Sequence, residues 1–210
     1  MRMSILLLAC LFVWPGTARA ATLADRSGHF TLELPEGWEV TDQDFRQVRP
    51  GLAEFFDCLD VNAAELRFLG WLPNQRGEGN QAVSAAFCVT YRPQGLSKAG
   101  RIVRESSGKQ REEASARFID VFVSKIHDNY AKRKLKLEDL SADLIEAGND
   151  LVLVLDSRIN SPVGPFMRST TAVLHGDGIV EIAMIYAPDA PKIVTDQLDA
   201  LSQSLNWLKN

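Results

Sequence analysis

Apolar and polar positions alternate most regularly in the C-terminal half of the chain, where residues 137–147, 151–159, 166–174 and 179–186 predict four strands. Asn149-Asp150, Ser161-Pro162-Val163-Gly164-Pro165 and Gly176-Asp177-Gly178 supply the turns between them. Segments 151–155 and 179–185 are apolar on both faces. Both strands are therefore expected to be central and covered on both faces, which calls for a layered fold with helices. A closing amphipathic helix fits that requirement. Val194, Leu198, Leu201, Leu205 and Leu208 recur at i, i+4, i+7, i+11 and i+14, with Asp189 as N-cap and Pro191 in the first turn. Residues 109–132 contain neither proline nor glycine, and Ala114, Phe118, Val121, Phe122, Ile126 and Tyr130 form one stripe, predicting the longest helix.

The N-terminal half is less regular. Phe30-Thr31-Leu32-Glu33-Leu34 alternates as a half-buried strand, and Pro35-Glu36-Gly37-Trp38 turns the chain. Phe45, Val48, Leu52, Phe55, Phe56 and Leu59 recur at helical spacing, interrupted by Pro50-Gly51, which predicts one short helix after the break. Residues 66–72 and 82–91 predict two further strands joined by a polar loop over 73–81. No internal repeat or low-complexity tract divides the chain.

The segment Phe30-Thr31-Leu32-Glu33-Leu34-Pro35-Glu36-Gly37-Trp38 resembles the opening of the PsbP-like superfamily, in which a strand ending in Leu-Pro-x-Gly-Trp begins an antiparallel sheet. The run of hairpin strands followed by a terminal helix ending near Ser204-Leu205-Asn206-Trp207 is similar to that superfamily's closing pattern. The resemblance implies an α+β fold, an antiparallel β-sheet sandwiched by helices in an α-β-α arrangement. It also implies a small non-catalytic binding or assembly factor, with no catalytic residues to carry over. Residues 43–108 depart from the pattern in their cysteine pair and long polar loop.

The first twenty residues change the picture of where this domain works. Arg2, the apolar run Ile5-Leu6-Leu7-Leu8-Ala9-Cys10-Leu11-Phe12-Val13-Trp14 and Ala18-Arg19-Ala20 follow the order of a secretory signal, which places cleavage before Ala21. Ten apolar residues are half the ~20 that a membrane-spanning helix needs. Leu7-Leu8-Ala9-Cys10 resembles a lipoprotein box, but the apolar run continues past the cysteine. The expected product is a single globular domain over 21–210, exported to the periplasm, with no transmembrane segment after cleavage. Loss of Arg2 and Arg19 moves the formal charge from −4 to −6, which disfavours a grip on nucleic-acid phosphates. Loss of Cys10 leaves Cys58 and Cys88, a pair expected to form a disulfide in an oxidising compartment, the alternative being two buried thiols.

No catalytic pattern stands out. His29, His127 and His175 are scattered with no metal-ligand spacing, and neither a nucleophile elbow nor a phosphate loop occurs. The pairs Asp42 with Asp44 and Asp57 with Asp60 lack the twelve-residue calcium loop. No enzyme activity, metal or cofactor is expected. The candidate partner-binding residues are Lys132, Arg133, Lys134 and Lys136, which also suit the negative end of a helix dipole, and Trp71, placed beside the polar loop. Trp38 and Trp207 are expected in the core. The leading expectation is a non-enzymatic periplasmic factor that binds another envelope protein, an immunity-type inhibitor being one form. A carrier for a small apolar ligand or lipid is the alternative, and an envelope hydrolase is third.

Overall fold

The computed structural model describes residues 21–41, 59, 64–73, 83–93, 98–133, 135–161, 164–176 and 178–208. Seven strands form the main sheet: β3 (Glu39–Thr41), β4 (Leu66–Pro73), β5 (Val83–Arg92), β6 (Lys136–Ala147), β7 (Asp150–Ser161), β8 (Gly164–His175) and β9 (Gly178–Tyr186). Their order is β3-β4-β5-β9-β8-β7-β6, and every pairing is antiparallel. Three short strands, β1 (Ala21–Ala24), β2 (Phe30–Leu34) and β10 (Asn206–Trp207), make a second sheet in the order β1-β2-β10.

The main sheet separates two cores. On one face lie α1 (Lys98–Glu105) and α2 (Gly108–Lys132), where Val103, Phe118, Ile126 and Tyr130 pack on Leu153, Leu155, Ala183 and Ile185. On the other, α3 (Lys192–Gln203) and the small sheet set Val194, Leu198, Phe30 and Leu32 against Phe87, Val89, Ile182 and Met184. Helices thus flank both faces of one antiparallel sheet. That is the α-β-α sandwich that the opening and closing segments of the sequence imply.

The Leu-Pro-x-Gly-Trp turn works through backbone conformation. Gly37 adopts φ +85°, a region that residues with a Cβ rarely occupy. The turn delivers Trp38 to the second core, where its ring lies 5.5 Å from that of Phe87 and its indole N–H donates to Gln197 Oε1 at 3.1 Å. The N-terminal motif is thereby fastened to the last helix.

Three sequence expectations change. The helix over 109–132 is present as α2, but the shorter α1 precedes it, and Val121 faces outward at 54% exposure. The closing helix begins at Lys192 with Pro191, not Asp189, as N-cap, and it stops at Gln203 instead of running to Leu208. There Ser204 Oγ donates to Leu201 O and accepts from the backbone N–H of Glu33, which directs the chain into β10 beside β2. Strand β9 is buried on both faces, as expected, but β7 is not. Its odd-numbered residues from Leu151 to Ile159 are buried, while Val152 and Val154 on the other face are only half-buried. The helix expected after Pro50-Gly51 and the carboxylate pairs lie outside the described residues, apart from the buried Leu59.

Candidate binding groove

The half-buried face of β7 is the floor of a broad concavity. Helix α3 and the small sheet cover the main sheet from β4 to β9, and the face of β8, β7 and β6 extends beyond them. Register makes the consequence explicit. Val180 pairs with Val173, Val173 with Val152, and Val152 with Ile145, so one apolar row crosses four strands. Its exposure rises from 0% at Val180 and 8% at Val173, through half-buried Val152, to 52% at Ile145. Apolar area left in water in this way is a contiguous patch, unlike scattered surface leucines.

A groove of about 700 Å³ runs between this floor and the flank of α3. Val154, Met167, Met184 and Leu198 line it, and Leu205 and Trp207 close one end. The polar groups around it are acidic or neutral. Asp150, Asp156 and Asp199 line the groove, and none of its described lining residues is lysine or arginine. Burial, together with the negative charges of Asp156 and Asp199, raises the pKa of the Tyr186 phenol above its ordinary value. At the Trp207 end, the His175 ring stacks on the indole with centroids 4.7 Å apart, and its Nδ1–H donates to Asp150 Oδ1 at 2.6 Å. The indole Nε1 of Trp207 is buried without a hydrogen-bond partner.

A second, smaller cavity of about 340 Å³ lies on the α2 side of the sheet. It exposes an ionic network that sequence reading missed. Arg168, only 2% exposed, lies over the Tyr130 ring at 5.6 Å and 3.8 Å from Glu181. Arg92 reaches Glu181 at 3.2 Å and Glu65 at 3.6 Å. The charges belong to β5, β8, β9 and the segment before β4, so only the folded sheet assembles them.

The residues singled out from sequence do not converge on one site. Lys132 ends α2, and Arg133 is its C-cap, both exposed, in keeping with the helix-dipole reading. Arg133 also borders the smaller cavity. Lys136 opens β6, exposed and ion-paired to Glu138 at 2.6 Å; that contact raises the lysine pKa and lowers the glutamate's. Lys134 lies outside the described residues. Trp71, a candidate partner-binding residue in the sequence, is 5% exposed and packs in the first core. Trp38 is buried as expected, whereas Trp207 is a groove wall. Cys88 is buried in the first core, and Cys58 lies outside the described residues. Two of the three histidines hold aspartates: His175 as above, and His29, whose Nδ1 lies 3.0 Å from the buried Asp25. Among the described residues, no group of three His, Cys, Asp or Glu side chains is placed to hold a metal ion, and no helix is long and apolar enough to cross a membrane.

No family model matches this sequence, nor does any curated protein sequence. Solved structures do. The solution structure of cyanobacterial PsbP (CyanoP) from Synechocystis sp. PCC 6803 superposes with a TM-score of 0.55 at 12% identity, over 92% of this chain and 95% of that one. The fold is PsbP-like. LpqN of Mycobacterium tuberculosis, described as involved in cell envelope biogenesis, shares it with a TM-score of 0.50 at 5% identity, each chain covered to 91%. A protein from Bacteroides thetaiotaomicron VPI-5482 aligns with a TM-score of 0.50 at 10% identity over 91% of this chain, which spans half that protein's length. Within the PsbP-like sandwich, the groove is the place where the sheet outruns its second helical layer.

Proposed function

We propose that this chain is a non-enzymatic protein-binding or assembly factor of the cell envelope, exported to the periplasm, and that the groove beside α3 takes a segment of a partner protein. The observation that carries the reading is the apolar row that emerges from beneath α3 and the small sheet, from half-buried Val152 to Ile145 at 52% exposure. Burying such a row is worth about 25 cal/mol per Å² of apolar surface, and the half-buried Met167 adapts readily to a partner's shape. An envelope setting accords with the signal-like first twenty residues and with LpqN, whose fold is shared.

The test compares capture by wild-type protein with capture by Val154→Arg, which places bulk and charge on the groove floor. A periplasmic protein retained by wild type and by Lys132→Glu/Arg133→Glu, but lost with Val154→Arg, supports the groove. Loss on the lysine and arginine changes instead transfers the contact to the basic end of α2. Equal retention by wild type and both variants overturns the reading. The immunity-type form adds that the retained protein is a toxin encoded by a neighbouring gene. The carrier reading has one observation in its favour, a groove volume within the roughly 300–1,000 Å³ of small-molecule sites. Saturable uptake of a fluorescent fatty acid, displaced by Val154→Arg, would favour it.

A further inference from the structure

The apolar row ends at Ile145 because β6 is the last strand of the sheet, and β6 has the form of an acceptor. It is twelve residues long, and among the described residues β7 is the one strand that pairs with it. Every second residue of such a strand directs its N–H and C=O outward, where they can bond another chain. Proteins usually blunt a free edge with charged side chains, lysine above all, with proline or with a bulge, and β6 carries the charges Asp143 and Glu146. Here the bulge is confined to the start of β6: register shifts between Glu138 and Ser141, and Asp139 takes φ +51°. From Ser141 to Ala147 the pairing with β7 is regular, and the sequence Ser-Ala-Asp-Leu-Ile-Glu-Ala contains neither proline nor a basic residue.

We propose that residues 141–147 of β6 accept an extended segment of a partner protein as an eighth strand, one carrying a cation, two apolar residues and a second cation opposite Asp143, Leu144, Ile145 and Glu146. The inference rests on the reading of this chain as a protein-binding factor. Charge selects the occupant. Asp143 is exposed, and Glu146, though 2.8 Å from Arg111, keeps its carboxylate 59% exposed. Opposite charges across neighbouring strands stabilise pairing and like charges oppose it. A second copy of this chain, pairing antiparallel through its own β6 about a two-fold axis at Leu144 or Ile145, would set Asp143 or Glu146 diagonally against its own counterpart, so like charge opposes a homodimer. The apolar pair has a matching role. A side chain opposite Ile145 extends the apolar row, and one opposite Leu144 lies on the α2 face, where Leu144 already packs against the first core. The cation-apolar-apolar-cation pattern reads the same in both chain directions, so parallel and antiparallel addition both satisfy it.

The test uses the chain from Ala21 onward and the peptide acetyl-Thr-Thr-Lys-Val-Val-Lys-Thr-Thr-amide, followed by amide shifts in nuclear magnetic resonance. The expected result is saturable shifts at residues 141–147, weakened by salt. Affinity should fall by about tenfold when the peptide lysines become glutamate or when Asp143→Lys is introduced. A peptide N-methylated at alternate residues, which leaves the protein untouched, should not bind. Equal binding of the N-methylated or glutamate peptide overturns the inference, as does the absence of saturable binding. Shifts confined to Val152, Val154 and Met184, with β6 silent, overturn strand addition but leave groove binding standing. The groove reading itself falls only on the Val154→Arg comparison.

Discussion

At the scale of single residues, the firmest constraints are those that join distant parts of the chain. The Asp25 side chain is fully buried, with Arg67 Nε at 3.2 Å and His29 Nδ1 at 3.0 Å. Arg67 and His29 both lie against Tyr91, at 5.7 Å and 4.5 Å from its ring centre. The cluster anchors the β1–β2 turn to the main sheet. Asp25→Ala should destabilise the fold by about 2 kcal/mol, less than the full cost of breaking a buried pair because Arg67 is partly hydrated. Urea denaturation of Asp25→Ala, Arg67→Ala and the double variant measures it, and additive effects in that cycle would show that the pair is not coupled. Gly70 is constrained sterically, since a Cβ there would overlap the Phe87 ring. Neither constraint was legible in the sequence. Asp25 and His29 read as ordinary polar residues before a strand, because their partners come from β4 and β5 and only tertiary structure supplies them.

At the scale of elements, alternation was a good guide to existence and a poor one to surroundings. β2 has the bounds its pattern predicts, and β5 to β9 differ from theirs by a residue or two at either end. Periodicity reports which positions are apolar, but not what lies above them. Val152 and Val154 therefore signalled a covered strand, whereas strand order puts β7 next to the edge. That mismatch between composition and cover is the groove. α1 escaped notice because it is only eight residues long, too short for a stripe to repeat, with Val103 fully buried beside an exposed Ile102. Leu205 and Leu208 kept helical spacing beyond the true end of α3, where Ser204 hands the chain to β2. The β6 bulge was also invisible, because aspartate is common in turns and bends alike. With Asp139 at φ +51°, a β-branched side chain meets the left-handed penalty. Asp139→Val should lose about 1–2 kcal/mol in thermal or urea unfolding, and Asp139→Gly should be neutral or slightly stabilising. Equal stability of the two variants would deny the bulge its backbone requirement.

At the scale of the whole molecule, a cysteine bridge presupposes export. Leu59, the residue after Cys58, is buried in the same core cluster as Cys88, and we propose that the two cysteines pair in a bridge when the chain folds in an oxidising compartment. It would tie the segment before β4 to β5, close to the centre of the sheet. A link closing a loop of about thirty residues should contribute roughly 3–4 kcal/mol through the reduced entropy of the unfolded chain. The exported protein should therefore lack titratable thiols, start at Ala21 by mass spectrometry, and unfold at lower urea concentration once reductant is added. If the chain instead keeps the first twenty residues and three thiols, the cell has not treated it as exported. If cleavage occurs but Cys58 and Cys88 both titrate, the pair is two buried thiols, and the stability of the sheet must come from its two cores and the charge network around Arg168 alone.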